Sequence, residues 1–244
     1  VLDVYEPGST GKVMTLAAAM EEKKITPETV LTIPYALKRS TKVFHDHEPH
    51  PTQRLTTAGV LAVSSNTGSI KIGEMLSNDK LYDYLTKFGI GTKTGSGLPG
   101  ESRGILPKVA DWSGTTAPTV AFGQGYSLTA MQATSVFATI ANDGVRVSPT
   151  VIAGKSDSSG NYTPSATRES VRVISADTAA KMRLMMESVV SSNGTAPSAA
   201  IPGYRVAGKT GTAQRIDDTC GCYRGYTASF IGFAPADNPA YVIS

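Results

Sequence analysis

YRVAGKTGTAQ, residues 204–214, marks the point where the hydrophobic pattern of the chain changes period. Two later runs, YTASFIGFAPA (226–236) and AYVIS (240–244), share its β-branched and aromatic character. Three such runs with turn residues between them read as strands. The region before them reads as helix. Val13, Leu16, Ala17 and Met20 recur at spacings of three and four, which predicts a helix over 9–23 behind the Pro7-Gly8 break. Residues 55–76 read as helix, turn, helix, and 79–90 as a helix closed by Gly89 and Gly91. A further helix is expected over 128–143: Thr129 is its N-cap, Gln132 completes a capping box and Gly144 stops it. Another spans 174–192, with Ser175 or Asp177 as cap. Between them, 26–51 is irregular with short β-like pieces such as VLTIP (30–34), 91–118 reads as a long loop and 154–164 as a surface hairpin or loop. A helical middle followed by antiparallel strands predicts an α+β fold, helices packed on an antiparallel sheet.

The bulk numbers narrow the function classes. A chain of 244 residues with 40% hydrophobic and 18% charged residues is of ordinary globular composition. The net charge is +3 and the basic residues are scattered, which argues against nucleic acid. No apolar run approaches the roughly 18 residues that a membrane helix needs. The first residue is Val1 rather than Met, so the expectation is a fragment with an anchor or signal possible upstream. Cys220 and Cys222 are too few for a zinc site and leave two readings open, a pair of free thiols or a disulfide favoured by an extracytoplasmic location.

Three short patterns carry the chemistry. In YEPGSTGKVMT (5–15), Ser9 and Lys12 stand three apart at a helix start, so they share a face and the lysine can reach the hydroxyl. A serine needs an adjacent base to attack, and a lysine is one only where burial or a second cation lowers its pKa. Ser64-Ser65-Asn66 falls at the turn between two helical stretches; a hydroxyl there can relay a proton and an amide can grip a peptide. Lys-Thr-Gly occurs twice, at 93–95 in a Gly-rich loop and at 209–211 in a strand-like run. The second copy is the candidate: an edge strand can pair with an extended peptide, Lys209 supplies charge, Thr210 and Thr212 supply hydroxyls, and Gly211 lets the peptide approach. Each pattern alone has a plainer explanation as a cap, a turn or a solvated lysine. The three in this order form the set S-x-x-K, S-x-N, K-T-G.

With EPGST-x-K, SSNTG, LPGE, FGQGYSLTAMQ, ANDGVRVSP, GKTGTAQ and FIGFAPADNPAYV, the chain resembles the transpeptidase domain of class B penicillin-binding proteins nearly end to end. GKTGTAQ and the FGQG-to-helix segment look most like the division-type enzymes. The resemblance implies an antiparallel sheet packed between helical layers, and a serine-type D,D-transpeptidase that crosslinks peptidoglycan. Ser9 would be acylated, Lys12 would take its proton, Ser64 would pass a proton to the leaving group and Asn66 would hold the substrate amide. Lys209, Thr210 and Thr212 would bind the terminal carboxylate, and the backbone N–H groups of Ser9 and Thr212 would form the oxyanion hole. The substrate would be the D-Ala-D-Ala end of a stem peptide, with β-lactams as covalent mimics. No cofactor or metal is implied. An upstream anchor would put the domain on the outer side of the cell membrane, beside a glycan polymerase and division proteins. An elongation-type enzyme, a β-lactamase or D,D-carboxypeptidase, and a penicillin sensor stay as alternatives.

The chain departs from the family in two places. Position 11 is Gly where a bulky residue, commonly Phe, is expected, and a first-turn Gly costs about 1 kcal/mol of helix propensity. Family members carry strands before the Ser-x-x-Lys helix and a strand and helix after the last run seen here, so residues 1–244 are expected to be an incomplete transpeptidase domain, truncated at both ends. Other features invite a function less strongly. HDHEPH (45–50) holds all three histidines, but Pro49 and Pro51 point to a loop rather than a metal site. Glu101 in LPGESRG lacks the E-x-x-L-N context that positions a deacylating water, and Trp112 and Tyr126 read as packing residues.

Overall fold

In the computed structural model, which describes residues 1–166, 168–217 and 219–244, Pro7 leads into a 3-10 turn, Gly8–Gly11, that continues as α1, Lys12–Glu21. The expected apolar stripe is present, but Met14, Ala18 and Ala19 are buried as well, so α1 is hydrophobic all round. Such a helix belongs inside a core rather than on its surface. Four short strands follow: β1 (Val30–Ile33), β2 (Ala36–Arg39), β3 (Lys42–His45) and β4 (Gln53–Thr56). They form two antiparallel pairs, β1 with β4 and β2 with β3, of which the sequence suggested only the first member. Thr56, Ser65 and Ser77 then cap α2 (Thr57–Ala62), α3 (Asn66–Gly73) and α4 (Asn78–Lys87), each accepting a backbone N–H from three residues on.

The 91–118 stretch is mostly irregular, but α5 (Thr116–Ala121) begins within it. Its Pro118 lies in the first turn, where a missing N–H costs nothing, so the residue that suggested a loop is compatible with a helix. α6 (Ala130–Ala141) starts with the full capping box of Thr129 and Gln132, and Gly144 follows it at φ +81. β5 (Val145–Val147) pairs with β8 (Ser170–Arg172), and β6 (Gly154–Ser156) with β7 (Tyr162–Pro164) in a surface hairpin. Ser175, not Asp177, caps α7 (Ala176–Val190).

The last segment forms the main sheet: β9 (Ala207–Asp217), β10 (Cys222–Ala234) and β11 (Tyr241–Ile243), antiparallel in the order β11-β10-β9. β9 runs three residues beyond the expected 214, and a disulfide joins Cys220 to Cys222 where it meets β10. Ala207 faces Phe233 and Lys209 faces Ile231 across the ladder, and all four are buried. α7 packs against β9, and α6 against β10 and β11, with Val136, Phe137, Met182 and Met186 in the shared core. The alternate residues Phe230, Tyr241 and Ile243 line an apolar groove of about 560 Å³. Among the described residues no helix is long and apolar enough to cross a membrane.

The fold sets β9 as an edge strand beside the Gly8–Gly11 turn, with the α2–α3 turn close by. These three pieces carry the three sequence patterns.

Candidate active site

Ser9 lies in the 3-10 turn at the head of α1 and lines an open cleft of about 610 Å³. Ser64 and Asn66 line it from the α2–α3 turn, and Thr210 and Thr212 from β9. Lys12 and Lys209 stand behind these residues, each 0% exposed. The fold thus brings Ser9, Lys12, Ser64, Asn66, Lys209, Thr210 and Thr212 to one place from positions as far apart as the two ends of the chain.

Ser64 is the meeting point. Its backbone has φ +58, a left-handed conformation that a non-glycine residue adopts at a cost of roughly 1–2 kcal/mol. That conformation aims its hydroxyl at both lysines: Lys12 Nζ donates to Ser64 Oγ at 3.1 Å and Lys209 Nζ at 2.9 Å. Lys12 also donates to Ser64 O at 2.5 Å and to Asn66 Oδ1 at 2.7 Å. Its three bonds therefore all go to the 64–66 turn and none to the Ser9 hydroxyl, unlike the contact that spacing alone suggested. An ammonium has three N–H donors, so Lys12 in that form is saturated and accepts nothing. Burial pushes its pKa well below the ordinary lysine value, the Lys209 charge adds to this, and Asp46 opposes it. As a neutral amine it needs only two N–H groups for Ser64 O and Asn66 Oδ1. A lone pair is then free to take a proton from a hydroxyl. Burial lowers Lys209 in the same way, to about 7.

Thr210 Oγ1 lies 3.3 Å from Lys209 Nζ and 2.7 Å from Thr195 Oγ1. Thr195, from the loop after α7, also lines the cleft, as do Asp46 and His50, and was missed in the sequence, where a lone threonine in SSNGT gives no signal. Gly211 has a use inside the protein that its sequence context did not suggest. A Cβ there would sit 2.5 Å from Ser229 Oγ, 2.9 Å from Pro7 O and 2.9 Å from Thr10 Cγ2. The close approach at Gly211 is made by the nucleophile turn, which needs the bare backbone to lie against β9. A Cβ on Gly8 would likewise stand 2.9 Å from Thr212 O, so Ser9 and Thr212 are neighbours through their backbones.

Gly11 also has an occupant for its empty side-chain volume. A Cβ there would meet the Tyr126 hydroxyl at 2.4 Å and Gly123 Cα at 2.8 Å. The Tyr126 ring, 2% exposed, fills the space behind the nucleophile turn, and its hydroxyl has no hydrogen-bond partner among the described residues. It packs rather than lining the cleft, and Trp112 packs edge-on against Tyr82. The other Lys-Thr-Gly copy is structural: Thr94 donates through N (2.6 Å) and Oγ1 to Glu101, which also accepts from Ser96, and none of these lines the cleft. In the histidine-rich stretch Asp46 is buried and hydrogen bonded to Ser65, Thr67 and His50. The sequence reads that stretch as a loop rather than a metal site and gives no sign of these contacts. Among the described residues no group of three or more His, Cys, Asp and Glu side chains is placed to hold an ion.

A serine on a helix start, a buried lysine pair joined through a second serine, and an edge strand closing the cleft define a class, the serine–lysine folds of helices on an antiparallel sheet. Within it the chain belongs to the penicillin binding protein transpeptidase domain family, whose model matches residues 1–244. Among curated relatives it is 42% identical over 247 residues to penicillin-binding protein PbpB of Mycobacterium tuberculosis, covering 98% of this chain and 36% of that protein. It is 35% identical over 254 residues to peptidoglycan D,D-transpeptidase FtsI of Escherichia coli, covering 100% of this chain and 39% of that one. The fold superposes with a TM-score of 0.96 on penicillin binding protein 3 of Mycobacterium tuberculosis complexed with aztreonam, at 41% identity, over 99% of this chain and 56% of that one. The chain spans well under half the length of these curated relatives.

Proposed function

We propose that the chain carries the acylating site of a serine-type D,D-transpeptidase that crosslinks peptidoglycan stem peptides in cell division. The convergence of Lys12 and Lys209 on the Ser64 hydroxyl, at 3.1 and 2.9 Å, supports this reading above any other single observation. Ser9 Oγ attacks the carbonyl of the D-Ala-D-Ala peptide bond while neutral Lys12 takes its proton. The tetrahedral oxyanion is held by the backbone N–H groups of Ser9 and Thr212. Such a donor is typically worth about 2.7–4 kcal/mol. The C–N bond breaks, Ser64 delivers a proton to the departing D-Ala amine, and Lys12 resupplies Ser64. An amine from a neighbouring stem then attacks the ester, loses a proton to the same relay and restores the Ser9 hydroxyl. Asn66 holds the substrate amide, and Lys209, Thr210 and Thr212 hold its carboxylate. A β-lactam enters by the same first step and stays as an ester on Ser9, in keeping with the aztreonam complex of the relative.

We place this domain on the outer side of the cell membrane, anchored by a segment outside this chain and working beside a glycan polymerase and division proteins. The disulfide between Cys220 and Cys222 supports an oxidising compartment. The test is intact-mass spectrometry after incubation with benzylpenicillin. A stable single adduct mapped to Ser9 and lost in Ser9→Ala is expected. Labelling that persists in Ser9→Ala would refute the assignment, and an adduct that vanishes within minutes would turn the reading toward a hydrolase.

A further inference from the structure

The α2–α3 turn is held by a side chain outside the three sequence patterns. Asp46, 6% exposed, brackets Asn66 on both sides. Its Oδ1 accepts the Thr67 backbone N–H at 2.9 Å, and its Oδ2 accepts from the Ser65 hydroxyl at 2.7 Å and the Thr67 hydroxyl at 3.3 Å. Just upstream, the Asn66 side chain donates to His45 O at 3.0 Å. The turn that carries the left-handed Ser64 and supplies all three Lys12 partners is thus pinned by one carboxylate and by the end of β3 just before it.

His50 completes the arrangement. Its Nε2 lies 3.0 Å from Asp46 Oδ2 and its Nδ1 2.8 Å from Pro51 O. A carbonyl and a carboxylate both only accept, so the two bonds coexist only when both ring nitrogens carry protons. With both bonds made, His50 is an imidazolium bound to a buried carboxylate, and losing a proton forfeits one of the two bonds. The other titratable groups around it are the Tyr35 phenol, whose ring meets it edge-on, His45, which packs on the same Tyr35 ring, and His47 and Glu48 in its own loop. Beyond Asp46 lies the Lys12 amine, on which the Asp46 charge acts.

We propose that Asp46 and His50 are positioning residues for the acylation of Ser9: protonated His50 holds Asp46 in the orientation that fixes the Ser64-Ser65-Asn66 turn against Lys12. This rests on the acyl-enzyme reading above and adds to it a control by pH. The Pro51 carbonyl and then Asp46 raise the His50 pKa above its ordinary value, so the cation persists past the usual histidine range. The cation also offsets the Asp46 charge, which otherwise favours the protonated, non-basic form of Lys12. As pH rises through the His50 midpoint, Asp46 loses its counter-ion and one of the two bonds that orient the His50 ring is given up.

The experiment measures the second-order rate of Ser9 acylation by benzylpenicillin against pH for the purified protein, Asp46→Asn and His50→Gln. Thermal unfolding of each is followed alongside. Both variants should acylate more slowly by about tenfold to a hundredfold at low pH, the scale of a misplaced catalytic group. The parent's advantage over His50→Gln should shrink as pH rises through the His50 midpoint. An NMR titration reads the same coupling without any acylation: the Ser65 and Thr67 amide signals should follow the His50 midpoint, and in Asp46→Asn that midpoint should fall. A pH-independent ratio of rates, or amide signals indifferent to His50, would overturn the proposal. If the parent forms no Ser9 adduct while the amides track His50, the acyl-enzyme reading fails and the positioning role in acylation fails with it, leaving only the hold of His50 and Asp46 on the Ser64–Thr67 turn; if the adduct forms and the amides ignore His50, the positioning role alone fails.

Discussion

Replacing Lys209 with methionine separates what this lysine costs the fold from what it does in the cleft. The side chain is 0% exposed, and burial lowers its pKa from 10.5 to about 7. The unfolded chain keeps the proton up to the ordinary value, and the folded chain releases it near 7. Between those values the unfolded state binds more protons, so the parent's unfolding free energy rises with pH by up to about 1.4 kcal/mol per pH unit. Across the whole window this amounts to about 5 kcal/mol, present as a cost at low pH and gone above the ordinary lysine value. Methionine has a similar length and no proton. Lys209→Met should therefore gain on the parent most at or below about pH 7, and the gap should narrow by about 2.5 kcal/mol between about pH 7.5 and 9.5. The lost bonds to Ser64 and Thr210 subtract from the gain without changing its slope. Lys12 loses a cationic neighbour in the variant, which works in the same direction as the main effect. Urea unfolding at a series of pH values measures all of this. Parent and variant curves that run parallel from neutral to alkaline pH would show that Lys209 titrates normally in the fold, and the case for a lowered base would go with it. The same variant should label with benzylpenicillin far more slowly, so a gain in stability should accompany a loss of function.

Two further predictions concern residues around the nucleophile helix. Tyr126 buries a hydroxyl without a partner among the described residues, so Tyr126→Phe should raise stability by about 1 kcal/mol in thermal unfolding. Gly11→Ala drives a methyl into that hydroxyl and into Gly123 and should cost about 1–3 kcal/mol, less when combined with Tyr126→Phe; equal costs in both backgrounds would mean the tyrosine does not fill the Gly11 space. Thr129→Ala removes half of the α6 capping box and should lower stability by about 1 kcal/mol, read from the denaturation midpoint.

The parts of the fold that the sequence made visible are those set by local chemistry. The α6 capping box is a four-residue pattern with one geometry, and it forms as expected. The strand-like run at 204–214 survives, from Ala207 onward, in the ladder of β9 with β10. α5 was hidden because Thr, Pro and Gly around it look like a loop, and six residues are too few for a period to show. The short strand pairs at 30–56 depend on partners across a loop, not on their own composition.

The site was legible as a set of residues but not as wiring, for a physical reason. Sequence spacing places Ser9 and Lys12 on one helix face, so the natural inference is a direct bond between them. Lys12 in fact bonds Ser64 and Asn66, whose distance along the chain is 52 and 54 residues. A buried amine satisfies the strongest acceptors within reach, and the backbone carbonyl and amide oxygen offered by the α2–α3 turn are stronger than a serine hydroxyl. The same competition explains Asp46. In sequence it stands in a loop among histidines with no partner indicated; in the fold its oxygens go to the N–H and hydroxyl groups at the start of α3. A carboxylate beside a helix N-terminus is already well matched to that field and to those donors. The histidine beside it, His50, contacts the same carboxylate at 3.0 Å. Charge patterns name a chemistry but not the partner, and a shared helix face names a partner that a stronger acceptor can displace; the α6 capping box names a partner with no nearby rival, and it forms as its spacing requires.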